Sequence, residues 1–126
     1  MIRSPEDLEM YQIAFAAAID VCKGTKEFPR EERQSLSDQV RRSSRSVCAN
    51  LTEAWRKRRY AAAFVSKLND AEGEAAEAQT WVRFAVPCGY WTAEMGGDLH
   101  QRYDHFLGKL VNMITNADPW LLPRNT

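Results

Sequence analysis

The stretch between residues 30 and 59 concentrates the basic side chains of this sequence. It holds nine of the seventeen Lys and Arg residues and four Asp and Glu residues, whereas the whole chain has 17 of each sign and no net charge. A local excess of positive charge attracts a polyanion even when the protein as a whole is neutral. The chemistry that this stretch indicates is the binding of phosphate groups.

Helical geometry places several of these arginines on one face. At about 100° per residue they fall within a sector about 80° wide, turned about 130 to 150° away from the apolar residues of the same helix. The arginines of this face are Arg30, Arg41, Arg45, Arg56 and Arg59. Guanidinium groups in a row bind a phosphate backbone, and Trp55 and Tyr60 provide stacking surfaces for bases near one end. We therefore predict a nucleic-acid-binding face on this helix.

A second interpretation assigns the same arginines to salt bridges. Arginines on an outer helix face often contact only solvent, or they pair with carboxylates of a neighbouring helix or subunit, here Glu72, Glu74 and Glu77. Four tryptophans also exceed the capacity of a small helical core, and aromatic side chains left outside a core often anchor subunit interfaces. They are Trp55, Trp81, Trp91 and Trp120. Nucleic-acid binding and intersubunit pairing in a homo-oligomer both remain open at this point.

The sequence contains no motif typical of catalysis or metal binding. Its six glycines are scattered, which excludes a phosphate-cradling loop, and no paired-cysteine or nucleophile motif occurs. His100 and His105 are five residues apart and therefore about 140° apart on a helix, unlike the four-residue step of a helical metal pair. A di-iron bundle needs Glu-x-x-His pairs, and residues 72–77 contain no histidine. We expect no enzyme activity, no metal and no cofactor.

Length and composition favour a single soluble helical domain. The chain has 126 residues, enough for one core, and only 6 Gly and 5 Pro, which argues against turn-rich β folds and disorder. No apolar run approaches the about 18 residues that cross a bilayer, and the first nine residues lack the pattern of a signal peptide. We expect a cytoplasmic protein that has no contact with a membrane.

The three cysteines do not suggest a disulfide framework. Cys22, Cys48 and Cys88 are odd in number and widely spaced, and each has apolar helical neighbours. Free cysteine usually behaves as a small apolar residue. We predict three buried free thiols in a reducing compartment.

Apolar periodicity predicts four helices, at about residues 5–23, 30–57, 61–86 and 93–117. Ser4 and Pro5 are typical of a helix start, and Gly24 of a helix end. Two boundaries stay open: residues 56–63 contain neither Gly nor Pro to mark a turn, and Gly96-Gly97 allows the last helix to begin at residue 92 or 98. Short connectors predict an all-α, antiparallel up-down-up-down four-helix bundle formed by residues 1–126 as one domain.

Steps of three and four residues define the inward face of each helix. For the first helix they select Leu8, Tyr11, Phe15, Ile19 and Cys22. For the second they select Leu36, Val40, Ser43, Val47, Leu51 and Ala54. For the third they select Phe64, Leu68, Ala71, Ala75, Ala78, Val82 and Ala85, and for the fourth Leu99, Tyr103, Phe106, Leu110, Met113 and Ala117.

Several short segments, in this order and at this spacing, resemble a known family over about residues 6 to 115. They are Asp7-Leu8, Phe28-Pro29-Arg30-Glu31-Glu32-Arg33, Gln39-Val40-Arg41-Arg42-Ser43-Ser44-Arg45-Ser46-Val47, Asn50-Leu51-Thr52-Glu53-Ala54 and Gly89-Tyr90. The chain resembles the four-helix-bundle proteins encoded in intervening sequences of bacterial 23S ribosomal RNA genes, called S23 or IVS proteins. The accessory variability determinant of diversity-generating retroelements is similar to the same group.

The resemblance implies an antiparallel bundle that assembles into a homopentameric ring and has no enzymatic activity. In the retroelement relatives the ring binds nucleic acid, RNA or DNA, and cooperates with a reverse transcriptase. Carried over to this sequence, the binding role falls on Arg41, Arg42 and Arg45, extended by Arg56, Lys57, Arg58 and Arg59. Asn50 and Glu53 of the matched segments are expected to be structural.

Overall fold

The structure is a computed structural model that describes residues 1–123, which form four α-helices and no strand. The helices are α1 (Glu9–Gly24), α2 (Leu36–Arg56), α3 (Ala61–Ala85) and α4 (Ala93–Thr115). α1 and α3 each pack against both α2 and α4, so the predicted four-helix bundle is confirmed. Within the described range, no helix is apolar over a length that would cross a bilayer.

The core consists of the inward faces predicted for α2, α3 and α4. Every predicted inward residue of α2 and α3 is buried, and on the fourth helix the one exception is Ala117, which is half-buried and follows the end of α4. Because α3 places four alanines in its inward stripe, α2 and α4 can approach it closely. Their larger side chains, with Tyr103 and Phe106 the largest on α4, then fill the centre of the bundle.

The prediction for the inward face of α1 is wrong beyond Leu8. Tyr11 and Cys22 are only half-buried, and Phe15 and Ile19 are 50% and 41% exposed. The residues that α1 buries are Met10, Ala14, Ala17, Ala18 and Val21. α1 carries two apolar stripes, and the stripe of small residues allows the closer approach to α2 and α4. The large apolar side chains are consequently left on the outside.

Two helices begin later than predicted. Pro5–Asp7 is a short 3-10 turn and Leu8 is extended, so α1 starts at Glu9. Arg30–Glu32 is another 3-10 turn, and a non-helical Ser35 (φ −128°, ψ −108°) separates it from α2. The Glu32 carboxylate accepts a hydrogen bond from the backbone N–H of Leu36 (3.3 Å), which provides an acceptor that the first turn of a helix lacks.

At one end of the bundle, the connector between α1 and α2 contacts the connector between α3 and α4. The Phe28 ring lies 5.0 Å from the Tyr90 ring and 5.1 Å from the Trp91 ring, centroid to centroid. Tyr90 donates a hydrogen bond to the Glu32 carboxylate (2.7 Å), which raises the pKa of Tyr90 to about 12. Trp91 Nε1 donates to the carbonyl of Gly24 (3.1 Å) at the end of α1. Residues 28–33 and 89–90, both among the segments that carried the resemblance, therefore meet in space.

The structure decides both open boundaries. A turn at residues 57–60 separates α2 from α3, with the Tyr60 N–H donating to the carbonyl of Lys57 (3.0 Å). α4 begins at Ala93, where the Thr92 hydroxyl accepts the backbone N–H of Met95 (3.1 Å). The two adjacent glycines therefore lie inside the first turns of α4.

The three cysteines differ in exposure. Cys48 is buried, and this burial raises the pKa of its thiol to about 11. Cys22 is half-buried and Cys88 is exposed, so the prediction of a buried thiol is wrong for Cys88. All three are free thiols, and Cys88 follows the end of α3, in a connector where solvent reaches it.

Replacement of Tyr103 by phenylalanine is expected to raise the free energy of unfolding by about 1 kcal/mol. Tyr103 is fully buried, and within residues 1–123 its hydroxyl has no hydrogen-bond partner. The phenylalanine variant keeps the ring and removes the unpaired oxygen. Urea denaturation measures the change, and Tyr60→Phe is the control because Tyr60 is 60% exposed. A less stable Tyr103→Phe variant would show that the hydroxyl has a favourable partner.

Candidate nucleic-acid interface

The arginines of α2 lie on the side of the helix that faces away from the core. Arg42, Arg45 and Arg56 are exposed, whereas Arg41 is half-buried at the edge next to α1. Arg56 is eleven positions after Arg45, which corresponds to about 16 Å along the helix axis. The predicted basic face therefore exists on α2, but its members differ in their contacts.

Arg41 serves the fold. Its Nε donates to the hydroxyl of buried Thr25 (2.5 Å) and its Nη2 to the carbonyl of Cys22 (3.5 Å). The Thr25 hydroxyl in turn donates to the carbonyl of Val21 (2.8 Å). Arg41 and Thr25 thus satisfy carbonyl groups at the C-terminal end of α1, where a positive charge also interacts favourably with the helix dipole. Substitution of Arg41 would disturb the packing of α1 on α2 as well as any binding surface.

Arg42 is partly neutralised by an acidic group on α3. Its Nη2 lies 3.7 Å from Glu77 Oε1 and 2.9 Å from Gln39 Oε1. Glu74 is near, and its pKa is raised by burial and by the negative charge of Glu77. The Arg42 side chain is still 59% exposed, so the pair is weak, about 0 to 1 kcal/mol. Arg42 can contact a ligand only in competition with these carboxylates.

Arg45 has no carboxylate partner among the residues that the structure describes. Its Nη2 lies 3.8 Å from the sulfur of Cys22, at the boundary between α1 and α2. A thiol is a weak acceptor and does not neutralise the guanidinium. Arg45 therefore retains its full positive charge toward solvent.

Arg58 is half-buried, with its guanidinium against aromatic residues. Its guanidinium carbon lies 3.6 Å from the centroid of the Trp55 ring, which is a cation–π contact. Its Nε donates to the carbonyl of Trp55 (3.0 Å) and its Nη1 to the carbonyl of Trp120 (3.5 Å). Burial lowers the pKa of Arg58. Trp55 is buried and covered by this guanidinium, so it offers no surface for base stacking, contrary to the prediction.

The remaining cations of the segment are exposed around the α2–α3 turn. Arg56, Lys57 and Arg59 are exposed, and no carboxylate lies within salt-bridge distance of them in residues 1–123. Glu53, the nearest acidic residue in the sequence, pairs with Lys67 of α3 at 2.7 Å, and the hydrogen bond from Lys67 lowers the pKa of Glu53. We refer to Arg45, Arg56, Lys57 and Arg59 as the basic surface.

Arg30 does not belong to this surface. It is exposed in the 3-10 turn before α2, whereas the α2–α3 turn follows the other end of this helix. The prediction placed Arg30 on one helical face with Arg41, Arg45, Arg56 and Arg59 by assuming that the second helix begins at residue 30. That placement is wrong, because α2 begins at Leu36 after the non-helical Ser35 and the step of about 100° per residue does not extend back to Arg30. A binding role for Arg30 stays a prediction.

The structure also shows features that the sequence pattern did not reveal. Trp120 lies 6.4 Å from Trp55, centroid to centroid, and brings the segment after α4 onto the α2–α3 turn. Of the four tryptophans, two are buried and two, Trp81 and Trp120, are half-buried. Phe15 and Ile19 form an exposed apolar stripe on α1. The presence of apolar residues on two faces of α1 was the one sequence signal that could have indicated this exposed stripe.

The residues expected to be structural have contacts within the molecule. Asn50 donates to the carbonyl of Ser46 (3.0 Å) and to its hydroxyl (3.1 Å), one turn earlier in α2. Glu53 connects α2 to α3 through Lys67. The Asn50 bonds stay within α2, whereas the Glu53–Lys67 ion pair joins α2, which carries Arg45 and Arg56, to α3.

Four helices joined by short connectors, with an arginine-rich second helix, define a class of small helical proteins. The family described as 23S rRNA-intervening sequence protein matches residues 6–112, and the chain belongs to this family. The resemblance inferred from the short segments is thereby confirmed.

A similar solved structure supports the fold. The crystal structure of a protein of unknown function from the S23 ribosomal protein family of Bacteroides thetaiotaomicron VPI-5482 is similar, with a TM-score of 0.75 and 25% sequence identity. The similarity covers 84% of this chain and 95% of that chain. No curated protein matches the sequence.

Proposed function

We propose that this protein is a non-catalytic homo-oligomer that binds RNA or DNA through the basic surface. The observation that carries this proposal is the group of four exposed cations, Arg45, Arg56, Lys57 and Arg59, without a carboxylate partner in residues 1–123. Exposed guanidinium and ammonium groups bind phosphates and release counterions. Because the net charge of the chain is zero, the protein as a whole does not attract a polyanion, and the attraction comes from this surface alone.

The assembly that we propose is a ring of five subunits, following the family resemblance, with a role as accessory to a reverse transcriptase. Exposed apolar side chains on two helices support oligomerisation: Phe15 and Ile19 on α1, and Phe84, 54% exposed, on α3. α1 and α3 both pack on α2 and α4, so they occupy opposite corners of the bundle. Contacts between two different faces are heterologous, and such contacts form a ring when the rotation from one subunit to the next closes.

The salt dependence of binding tests the nucleic-acid role. We expect the affinity for RNA and DNA, measured by fluorescence anisotropy, to fall between about 50 and 200 mM salt. In the variant Arg45→Ala/Arg56→Ala/Arg59→Ala, the slope of log K against log salt should decrease in magnitude by about two to three, since each phosphate contact contributes about 0.7 to 0.9. Arg41 and Arg58 are left intact because they serve the fold.

A charge-matched variant separates the surface from the net charge. Arg3→Ala/Lys26→Ala/Arg83→Ala also removes three exposed positive charges, all outside the basic surface. It should retain the affinity and the salt slope of the unmodified protein. Equal loss in both triple variants, or no binding at low salt, contradicts the proposal.

The second candidate is a structural ring in which the basic surface pairs with carboxylates of the next subunit and binds no nucleic acid. The contact between Arg42 and Glu77 favours it, because it shows that α2 arginines and α3 carboxylates can pair. In that case the first triple variant dissociates the oligomer, which light scattering after gel filtration detects. An oligomer that stays intact while nucleic-acid affinity is lost excludes this candidate.

A further inference from the structure

We infer that the α2–α3 turn is a site for single-stranded nucleic acid, in which a base stacks on Tyr60 and the neighbouring cations hold the phosphates. The site is at one end of the bundle and consists of Arg56, Lys57, Arg59 and Tyr60. The inference rests on the proposed function, and it specifies both the position of contact and the class of nucleic acid.

The Tyr60 side chain is placed for stacking. It is 60% exposed, and its ring makes no aromatic contact with the residues that the structure describes. Its backbone N–H and carbonyl are engaged, the N–H with Lys57 and the carbonyl with the N–H of Phe64 (2.9 Å). The backbone is therefore fixed while the ring remains in solvent. A large, exposed aromatic ring next to cations is the arrangement that single-strand-binding surfaces use.

The turn is held rigidly by the segment that follows α4. The N–H of Leu122 donates to the carbonyl of Arg58 (3.0 Å), and the guanidinium of Arg58 lies on Trp55 and reaches the carbonyl of Trp120. Of the four consecutive cations at residues 56–59, one therefore anchors the turn and three point outward. A site fixed before binding loses less conformational entropy when the ligand arrives.

The charge around the turn is strongly positive and is not cancelled locally. Residues 53–67 contain five Lys and Arg residues and one acidic residue, Glu53. Glu53 pairs mainly with Lys67 and also attracts Lys57, and this single carboxylate leaves the turn with a net positive charge. Arg45 lies about 16 Å further along α2 and extends the positive path for a phosphate backbone.

The exposed ring favours a single strand over a duplex. In a duplex the bases stack on each other and present only their edges in the grooves. Tyr60 could reach a base face there only by unstacking the duplex, which is costly. In a single strand the base faces are accessible, and stacking on an aromatic side chain is tolerant of sequence.

Binding measurements with single and double strands test the inference. The probes are a fluorescently labelled single-stranded oligothymidine of about 12 nucleotides and a DNA duplex of the same length. Tyr60→Ala is expected to weaken single-strand binding about tenfold or more, while Tyr60→Phe keeps the stacking surface and binds within about twofold of the unmodified protein. Duplex binding should be the same in all three proteins.

His105→Ala is the matched control. His105 is an exposed ring side chain on α4, outside the α2–α3 turn and outside the apolar side chains proposed for oligomerisation. Its removal should leave single-strand binding unchanged. If Tyr60→Ala binds the single strand as tightly as His105→Ala, the inference is wrong although the proposed function stands. Equal loss of duplex binding in Tyr60→Ala also overturns it. Absence of any binding by the unmodified protein at low salt removes the proposed function together with the inference.

Discussion

Phe106→Ala is expected to lower the free energy of unfolding by about 3 to 5 kcal/mol. Phe106 is fully buried on α4, and α3 faces the core mainly with alanines, whose side chains are too short to move into the space that the ring leaves. The loss combines the transfer free energy of the ring with the cost of the cavity. Urea denaturation followed by circular dichroism measures the effect.

Val111→Ala is the control for this substitution because it removes an apolar side chain from the outer side of the same helix. Val111 is 43% exposed, so its stability change should stay within about 0.5 kcal/mol. A loss of less than about 1 kcal/mol for Phe106→Ala would mean that this position does not lie in the core.

Gly96→Ala is expected to lower the free energy of unfolding by about 1 to 3 kcal/mol. Gly96 is buried, and a Cβ atom there would lie 2.3 Å from Cγ2 of Val86, which is too close for two non-bonded carbon atoms. Val86 directly follows α3 and has few χ1 rotamers because it is β-branched, so relief requires an unfavourable rotamer of Val86 or a shift of the α3–α4 connection. The higher helix propensity of alanine offsets only about 0.5 to 1 kcal/mol of this loss in the free energy of unfolding.

Gly97→Ala tests the same explanation with the opposite sign. A Cβ atom at Gly97 meets nothing within 4 Å, so only the gain in helix propensity applies, about 0.5 to 1 kcal/mol. Thermal unfolding of the two variants should shift Tm in opposite directions. If both variants are more stable than the unmodified protein, α3 and α4 do not approach each other closely at Gly96.

The predictability of the core differed between helices for a physical reason. On α2 and α4 one stripe is apolar and the opposite face is largely polar, so burial of that stripe hides most of the apolar surface. On α3 the unbroken steps of three and four residues from Phe64 to Ala85 identify the buried stripe, although apolar residues such as Phe84 lie outside it. α1 has apolar residues on two faces, with Ala14 and Ala17 on one and Phe15 and Ile19 on the other. Which of the two faces is buried depends on how closely the neighbouring helices approach α1. The periodicity of the sequence carries no information about that distance.

The candidate site was predictable as a region and not as a set of contacts. The local excess of positive charge in residues 30–59 identified α2 and the turn after it. Arg41 and Arg58 carry the same charge as Arg45 and Arg59, but their partners, Thr25 and Trp120, are distant in the sequence. Only the packing of α1 and of the C-terminal segment against α2 separates structural arginines from exposed ones.

The sequence by itself determined the four helices, the family, the inward faces of α2 to α4 and the basic character of the second helix, because periodicity, composition and local charge are properties of neighbouring residues. Tertiary structure decided which face of α1 is buried, where α2 begins and which cations remain exposed. The position of Val86 next to Gly96 is also the reason why residue 96, but not residue 97, needs to be glycine. These features depend on distances between residues far apart in the chain, and close packing fixes such distances only when all four helices are in place.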